Sequence, residues 1–158
     1  MAYILADENG NIVISENRIV YPSNFIIPDK ASRIHGITTD NARENGEDII
    51  DILSDFNNTL ENANFLVAHN IEFDSNVLGA EYLRNYFINP LPRLKFLCTM
   101  KSTTNLCAIP GNYGFKYPKL SELYYELFNS PLVEAHNAFA DVKQTLKCFY
   151  ELKKRNIL

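Results

Sequence analysis

Phe65-Leu66-Val67-Ala68 is an apolar run of strand length that ends at a polar corner, His69-Asn70. Beyond the corner Phe73, Val77, Ala80 and Leu83 recur at helical spacing, so a strand passes directly into a helix. That step is the building unit of an α/β layer structure, and the rest of the chain orders itself around it. Upstream, residues 3–6 and 12–14 flank Asn9-Gly10, a strong hairpin signal, and residues 18–21 continue the second strand. Pro22 and Pro28 bound an irregular segment, and Gly46 opens a helix with Ile49, Leu53, Phe56 and Leu60 on one stripe. Downstream, residues 94–99 give another buried strand, and residues 108–118, rich in Gly, Pro and Tyr, form a loop. Leu120, Leu123, Leu127 and Phe128 mark one helix; Phe139, Val142, Leu146 and Phe149 mark the last. Hairpin, helix, strand, helix, strand and two helices describe an α/β fold without internal repeats.

The 158 residues suit a single domain with a real core, and 46% hydrophobic with 22% charged residues reads as globular. No apolar run approaches the roughly 20 residues of a membrane span, and the N-terminus lacks a basic stretch followed by an apolar block. A cytoplasmic, membrane-free protein is the expectation. Cys98, Cys107 and Cys148 are odd in number and widely spaced, which indicates neither a disulfide framework nor a zinc site and reads as buried thiols. The net charge of −4 argues against a binder that depends on a broad basic face. It leaves room for a nuclease whose acidic site meets phosphate through divalent cations. Local groups of positive charge are Arg93 with Lys95 and Lys101, and Lys116 with Lys119.

Two segments carry chemistry: the run from Val67 to Asp74, and His136 followed five positions later by Asp141. Two-metal phosphoryl chemistry needs several carboxylates converging on cations about 4 Å apart, with a base able to deprotonate water near neutral pH. Asp74, Asp141 and His136 could supply half of that. Asp74 falls in the first turn of a helix at the carboxyl end of a strand, where sites of open α/β sheets collect. Asp141 lies four residues after Asn137, a plausible N-cap, so the competing reading is a carboxylate placed to suit the helix dipole. Tyr113, Phe115 and Tyr117 alternate with Gly114 and Lys116; aromatics beside a cation could stack on a splayed nucleotide, and packing under the loop explains them equally well.

Val-Ala-His-Asn-x-x-Phe-Asp, followed about sixty residues later by His-x4-Asp, resembles the second and third motifs of the DnaQ-like 3′-to-5′ exonucleases, the DEDDh group that includes DNA polymerase III epsilon-subunit-like proteins. Ser32 to Thr38, with Ile34-His35-Gly36-Ile37-Thr38, resembles the Ile-His-Gly-Ile-Thr segment of that family. The resemblance implies a ribonuclease H-like mixed sheet flanked by helices, hydrolysis of 3′-terminal phosphodiester bonds of DNA or RNA, and a Mg²⁺ or Mn²⁺ two-metal site. It implies Asp141 as a direct metal ligand, Asp74 as an assisting carboxylate at the metal and His136 as the base. Asn70, Phe73, His35, Tyr113 and Lys116 are the candidate nucleic-acid contacts, although hydrogen bonding within their corners is the expected job of His35, His69 and Asn70. Expected partners are single-stranded or 3′-end nucleic acid and, for a proofreading relative, a DNA polymerase.

The departure from the family lies at the front. The family carries Asp-x-Glu on a first strand, and residues 3–6 resemble the second strand, so two of four expected carboxylates are missing from a single, N-terminally truncated exonuclease-like domain spanning residues 1–158. The expectation is a weak or inactive chain, with the missing strand encoded just upstream, or a non-catalytic nucleic-acid- or polymerase-binding module of the same fold. Asp7-Glu8 does not substitute, because the pair reads as part of a turn and adjacent residues of a strand face opposite ways. Loss of a central strand leaves two unpaired edges, predicting either direct pairing of residues 3–6 with residues 65–68 or a homodimer that buries both edges.

Overall fold

The computed structural model describes residues 1–132 and 137–158. Strands β1 (Ala2–Ala6) and β2 (Ile12–Asn17) form the expected antiparallel hairpin, with Tyr3 opposite Glu16 and a register shift between Leu5 and Ala6. The turn closes on Asp7, whose carboxylate accepts from the Asn9 and Asn11 amides at 2.8 and 2.9 Å, and Gly10 takes a φ of +90° that a side chain would strain. Past β2 the chain runs beside the segment that enters the third helix: Tyr21 N donates to Glu47 O, and Glu47 N donates to Ile19 O. Gly46 is required there, since a Cβ would lie 2.1 Å from Ala42 O and 2.8 Å from the Tyr21 backbone.

The segment bounded by Pro22 and Pro28 is irregular as expected, and two short helices to which the sequence pattern assigns no element follow it, α1 (Asp29–His35) and α2 (Thr39–Asn45). Neither has an apolar stripe long enough to announce itself. Local chemistry makes them instead: Pro28 precedes α1, Gly36 ends it in the left-handed region, and the Thr38 hydroxyl accepts from Asn41 N to cap α2. Helix α3 (Ile49–Leu60) is capped by Asp48 and buries Leu53, Phe56 and Leu60 as expected, together with Ile52.

Strand β3 (Phe65–Ala68) leads into α4 (Ile71–Arg84) and pairs in parallel with β4 (Lys95–Cys98). The expected face of α4 is corrected: Phe73, Val77 and Leu83 are exposed, while Ile71 and Tyr82 are buried and Leu78 packs on the core. Tyr82, a polar-tipped residue easily scored as a surface group, is enclosed because its hydroxyl donates to Asn57 Oδ1 at 2.6 Å, and burial pushes its pKa up to about 12. Strand β4 is also less buried than read, with Lys95 and Phe96 exposed. Short helices α5 (Thr99–Ser102) and α6 (Thr104–Cys107) follow, then a small hairpin, β5 (Pro110–Gly111) and β6 (Gly114–Phe115), inside the expected loop.

Helices α7 (Leu120–Phe128) and α8 (Ala138–Lys154) pack through Leu123, Leu127, Cys148 and Leu152. Helix α8 also lies against β1, β2 and β3. The stripe expected to be its buried face, Phe139, Val142, Leu146 and Phe149, is only half-buried, because α8 sits between two layers and Ala140, Thr145, Cys148 and Leu152 are enclosed more fully. Of the three cysteines only Cys148 is buried, against the expectation for all three; Cys98 and Cys107 are half-exposed.

The strands form three separate two-stranded sheets, β1–β2, β3–β4 and β5–β6. Direct pairing of residues 3–6 with residues 65–68 does not occur. Tyr3 and Leu66 nevertheless pack on one core of Leu53, Phe56, Leu60, Tyr82 and Leu91, and both strands rest on α8. The ladders run from β1 to β2 and from β3 to β4 instead, and the two pairs meet through side-chain packing. The architecture is mixed α/β, with short sheets flanked by helices. Among the described residues no helix is long and apolar enough to cross a membrane.

Candidate functional site

The polar corner after β3 is built by backbone geometry. Asn70 sits at φ 84° and ψ 52°, a left-handed conformation that asparagine tolerates, and its carbonyl accepts from Phe73 N at 2.9 Å to start α4. His69, one residue earlier, is half-buried and ties three segments together. Its Nε2 lies 3.0 Å from the Pro118 carbonyl, which only accepts, so Nε2 carries the proton. Its Nδ1 lies 3.1 Å from the hydroxyl of Thr99, a fully buried residue at the end of β4, and in the neutral ring Nδ1 accepts from it. Burial lowers the His69 pKa, against the opposing pull of the Pro118 carbonyl and the Asp141 charge. His69 is therefore a neutral structural strap, the job expected of it.

Asp74 and Asp141 occupy the first turns of α4 and α8. Helix α8 starts at Asn137, whose Oδ1 accepts from Phe139 N at 3.0 Å and Ala140 N at 3.3 Å. Asp141 is half-buried and near enough to His69 to act on its charge. Asp74 keeps contact with solvent, yet the surrounding protein desolvates its carboxyl and raises its pKa. Both carboxylates thus flank the carboxyl end of β3. No hydrogen bond joins them, and among the described residues no three His, Cys, Asp or Glu side chains gather as a metal site would require. The donors among the described residues do not make up a two-metal centre. His136, expected as the base, lies outside the described residues.

Asp7 is excluded from this end of the molecule. The Tyr150 hydroxyl donates to Asp7 O and Lys153 Nζ to Glu8 O, which pins the β1–β2 turn nine residues or more along α8 from Asp141, about 13 Å. His35 Nδ1 accepts from Ile37 N at 3.1 Å, and the residue lines a cleft of about 380 Å³ with Met1, Arg18, Phe25 and Ile27. Phe73, 64% exposed, stands beside Asp74. Lys116 pairs with Glu122 at 2.6 Å, and Lys101 pairs with Glu72 in the first turn of α4, also at 2.6 Å. Sequence reasoning missed Thr99 and Pro118 as the partners of His69. Thr99 was accessible, being the polar residue that ends the β4 run as His69 ends the β3 run.

The model of the exonuclease family RNase T (Exonuclease) matches residues 2–149. No curated protein matches the chain. Among solved structures, that of Escherichia coli exonuclease I in complex with a dA16 oligonucleotide superposes with a TM-score of 0.75 at 20% identity, covering 99% of this chain and 37% of that one. A product-bound structure of exonuclease I gives 0.74 at 17% identity, covering 99% and 39%. The chain thus spans less than two-fifths of exonuclease I, and the likeness establishes the ribonuclease H-like fold. With the family model matching nearly from end to end, the chain belongs to the exonuclease family.

Proposed function

We propose that this chain engages the 3′ end of single-stranded DNA or RNA beside Asp74 and Asp141, and that on its own carboxylates it hydrolyses terminal phosphodiester bonds weakly or not at all. The observation that carries this is the placing of two carboxylates on the first turns of α4 and α8, at the carboxyl end of β3, in a chain of the exonuclease family. The oligonucleotide held by exonuclease I supports a single-stranded ligand. In this reading residues 1–158 act as one exonuclease-like domain, and His136 is the candidate base, since an ordinary imidazole can take a proton from water near neutral pH.

Divalent cations, Mg²⁺ or Mn²⁺ in the family, supply charge stabilisation for phosphoryl transfer when bound. Asp141 and Asp74 would be their ligands here. Two carboxylates leave a hard cation with most of its waters, which is why hydrolysis is expected to be weak. The same shortage of donors favours a second reading, a non-catalytic module that binds nucleic acid or a polymerase. We also propose that the chain self-associates through the free edges of β1 and β3.

The test is incubation with a 5′-labelled single strand and Mg²⁺ or Mn²⁺, alongside a binding measurement on the same strand. Little or no mononucleotide release with retained binding is expected. Robust release that disappears in His136→Ala would overturn the inactivity, and failure to bind any single strand would overturn the nucleic-acid reading.

A further inference from the structure

Residues 113–119 show a two-residue alternation that neither the fold nor the carboxylates use. Tyr113, at the tip of the β5–β6 hairpin, is fully exposed, and Phe115 and Tyr117 are 54% and 55% exposed. Between them Lys116 turns to Glu122 and Pro118 is buried, while Lys119 is again exposed. Alternate residues of an extended segment share a face, so along the stretch that leaves β6 Phe115, Tyr117 and Lys119 follow one another at intervals of about 7 Å, while Tyr113 stands apart in the turn, before Gly114 at a φ of +117°. Among the described residues none of these rings stacks on another ring or joins a core cluster. Leaving three aromatics in water costs hydrophobic free energy that packing under the loop would have recovered.

The row also has a direction. Tyr117 lies near Lys101, and Lys101 is paired with Glu72 in the first turn of α4, two residues before Asp74. The next residue, Pro118, is held by His69 at the carboxyl end of β3. The hairpin is thus strapped at its inner end to the corner that carries the carboxylates, and its outer end projects into solvent.

We infer that Tyr113, Phe115 and Tyr117 form a stacking platform for the bases of a single strand, with Lys119 meeting a backbone phosphate, and that the platform leads the strand toward Asp74 and Asp141. This rests on the nucleic-acid reading above and specifies where the strand lies. Stacking tolerates any base because every base offers a π-face, so the platform suits a strand of arbitrary sequence. The spacing of about 7 Å between Phe115 and Tyr117 is twice the 3.4 Å rise of stacked bases, so alternate bases meet these two rings, and Tyr113 extends the platform at the hairpin tip. Lys116, a sequence-based candidate, alternates with this face and pairs with Glu122.

The experiment is fluorescence anisotropy of 5′-fluorescein oligothymidylate with the full chain in EDTA, which separates binding from hydrolysis. Combined Tyr113→Ser, Phe115→Ser and Tyr117→Ser substitution is expected to weaken affinity at least about tenfold, the factor that loss of one base stack produces. Tyr113→Ser alone, at a fully solvated tip where folding is not at stake, is expected to weaken it severalfold, whereas Tyr113→Phe retains affinity. Lys119→Ala should lower the salt slope by about one. Unchanged affinity in the folded serine variants, or no binding by the wild type, overturns the platform. Loss of binding in those variants with no mononucleotide release by the wild type leaves the platform standing and counts only against hydrolysis.

Discussion

Asp74 sits under two opposing influences, the positive end of the α4 dipole, which favours its ionised form, and desolvation by neighbouring protein, which disfavours it. Desolvation wins, since the carboxyl pKa is raised above the ordinary value of 3.8. The folded chain therefore keeps the proton to higher pH than the unfolded chain does. The stability this group contributes is complete below pH 3.8 and is lost as pH rises through the folded value, so at neutral pH the ionised carboxylate weakens folding. Asp74→Asn should accordingly raise Tm modestly at pH 7, and the gain should vanish at a pH below 3.8. Thermal melts of the two proteins at both pH values measure it, and a lower Tm for the variant at pH 7 would contradict the assignment. A carboxylate kept where it costs stability is what a functional site leads one to expect.

At the scale of elements, the strap made by His69 decides how firmly the β5–β6 hairpin is held. His69→Ala leaves the Pro118 carbonyl unpartnered and the Thr99 hydroxyl with only the Ala68 carbonyl at 3.4 Å. The expected cost is about 1–3 kcal/mol in urea unfolding, the penalty for a buried polar group left unsatisfied, with faster amide exchange across residues 108–118. Unchanged exchange there would show that the loop is held by something else. The βα step at residues 65–84 was legible in sequence because apolar run, polar corner and helical spacing occur in one order. Its buried face was not, because Tyr82 is enclosed by a single hydrogen bond to Asn57, 25 residues away, and period alone scored Phe73 and Val77 instead. Helices α1 and α2 escaped for another reason: each has 7 residues and depends on caps and on the Gly46 contact with Tyr21, which no apolar stripe reports. The places of Asp74 and Asp141 in the first turns of two helices were legible from capping and apolar spacing, whereas the exposure of Tyr113, Phe115 and Tyr117 was not, because an aromatic in a loop packs or projects according to tertiary contacts that the sequence pattern does not report.

For the molecule as a whole, the separation of β1 from β3 has consequences for assembly. Each strand has one partner, so each presents an edge whose amides and carbonyls lack a ladder, and such edges attract further strands. The two do not pair with one another, although Tyr3 and Leu66 pack on a shared core and both strands lie against α8. A second copy of the chain can satisfy them by presenting a strand of its own. Sedimentation equilibrium should therefore show a concentration-dependent dimer, and amide exchange should show protection in residues 2–6 and 65–68 that grows with concentration. Exchange is the sharper arm, because a dimer formed through the exposed face of α4, where Phe73, Val77 and Leu83 lie, would leave those strand amides unprotected. A monomer at every concentration, with strand amides that exchange at one rate throughout, would show that water alone satisfies the edges.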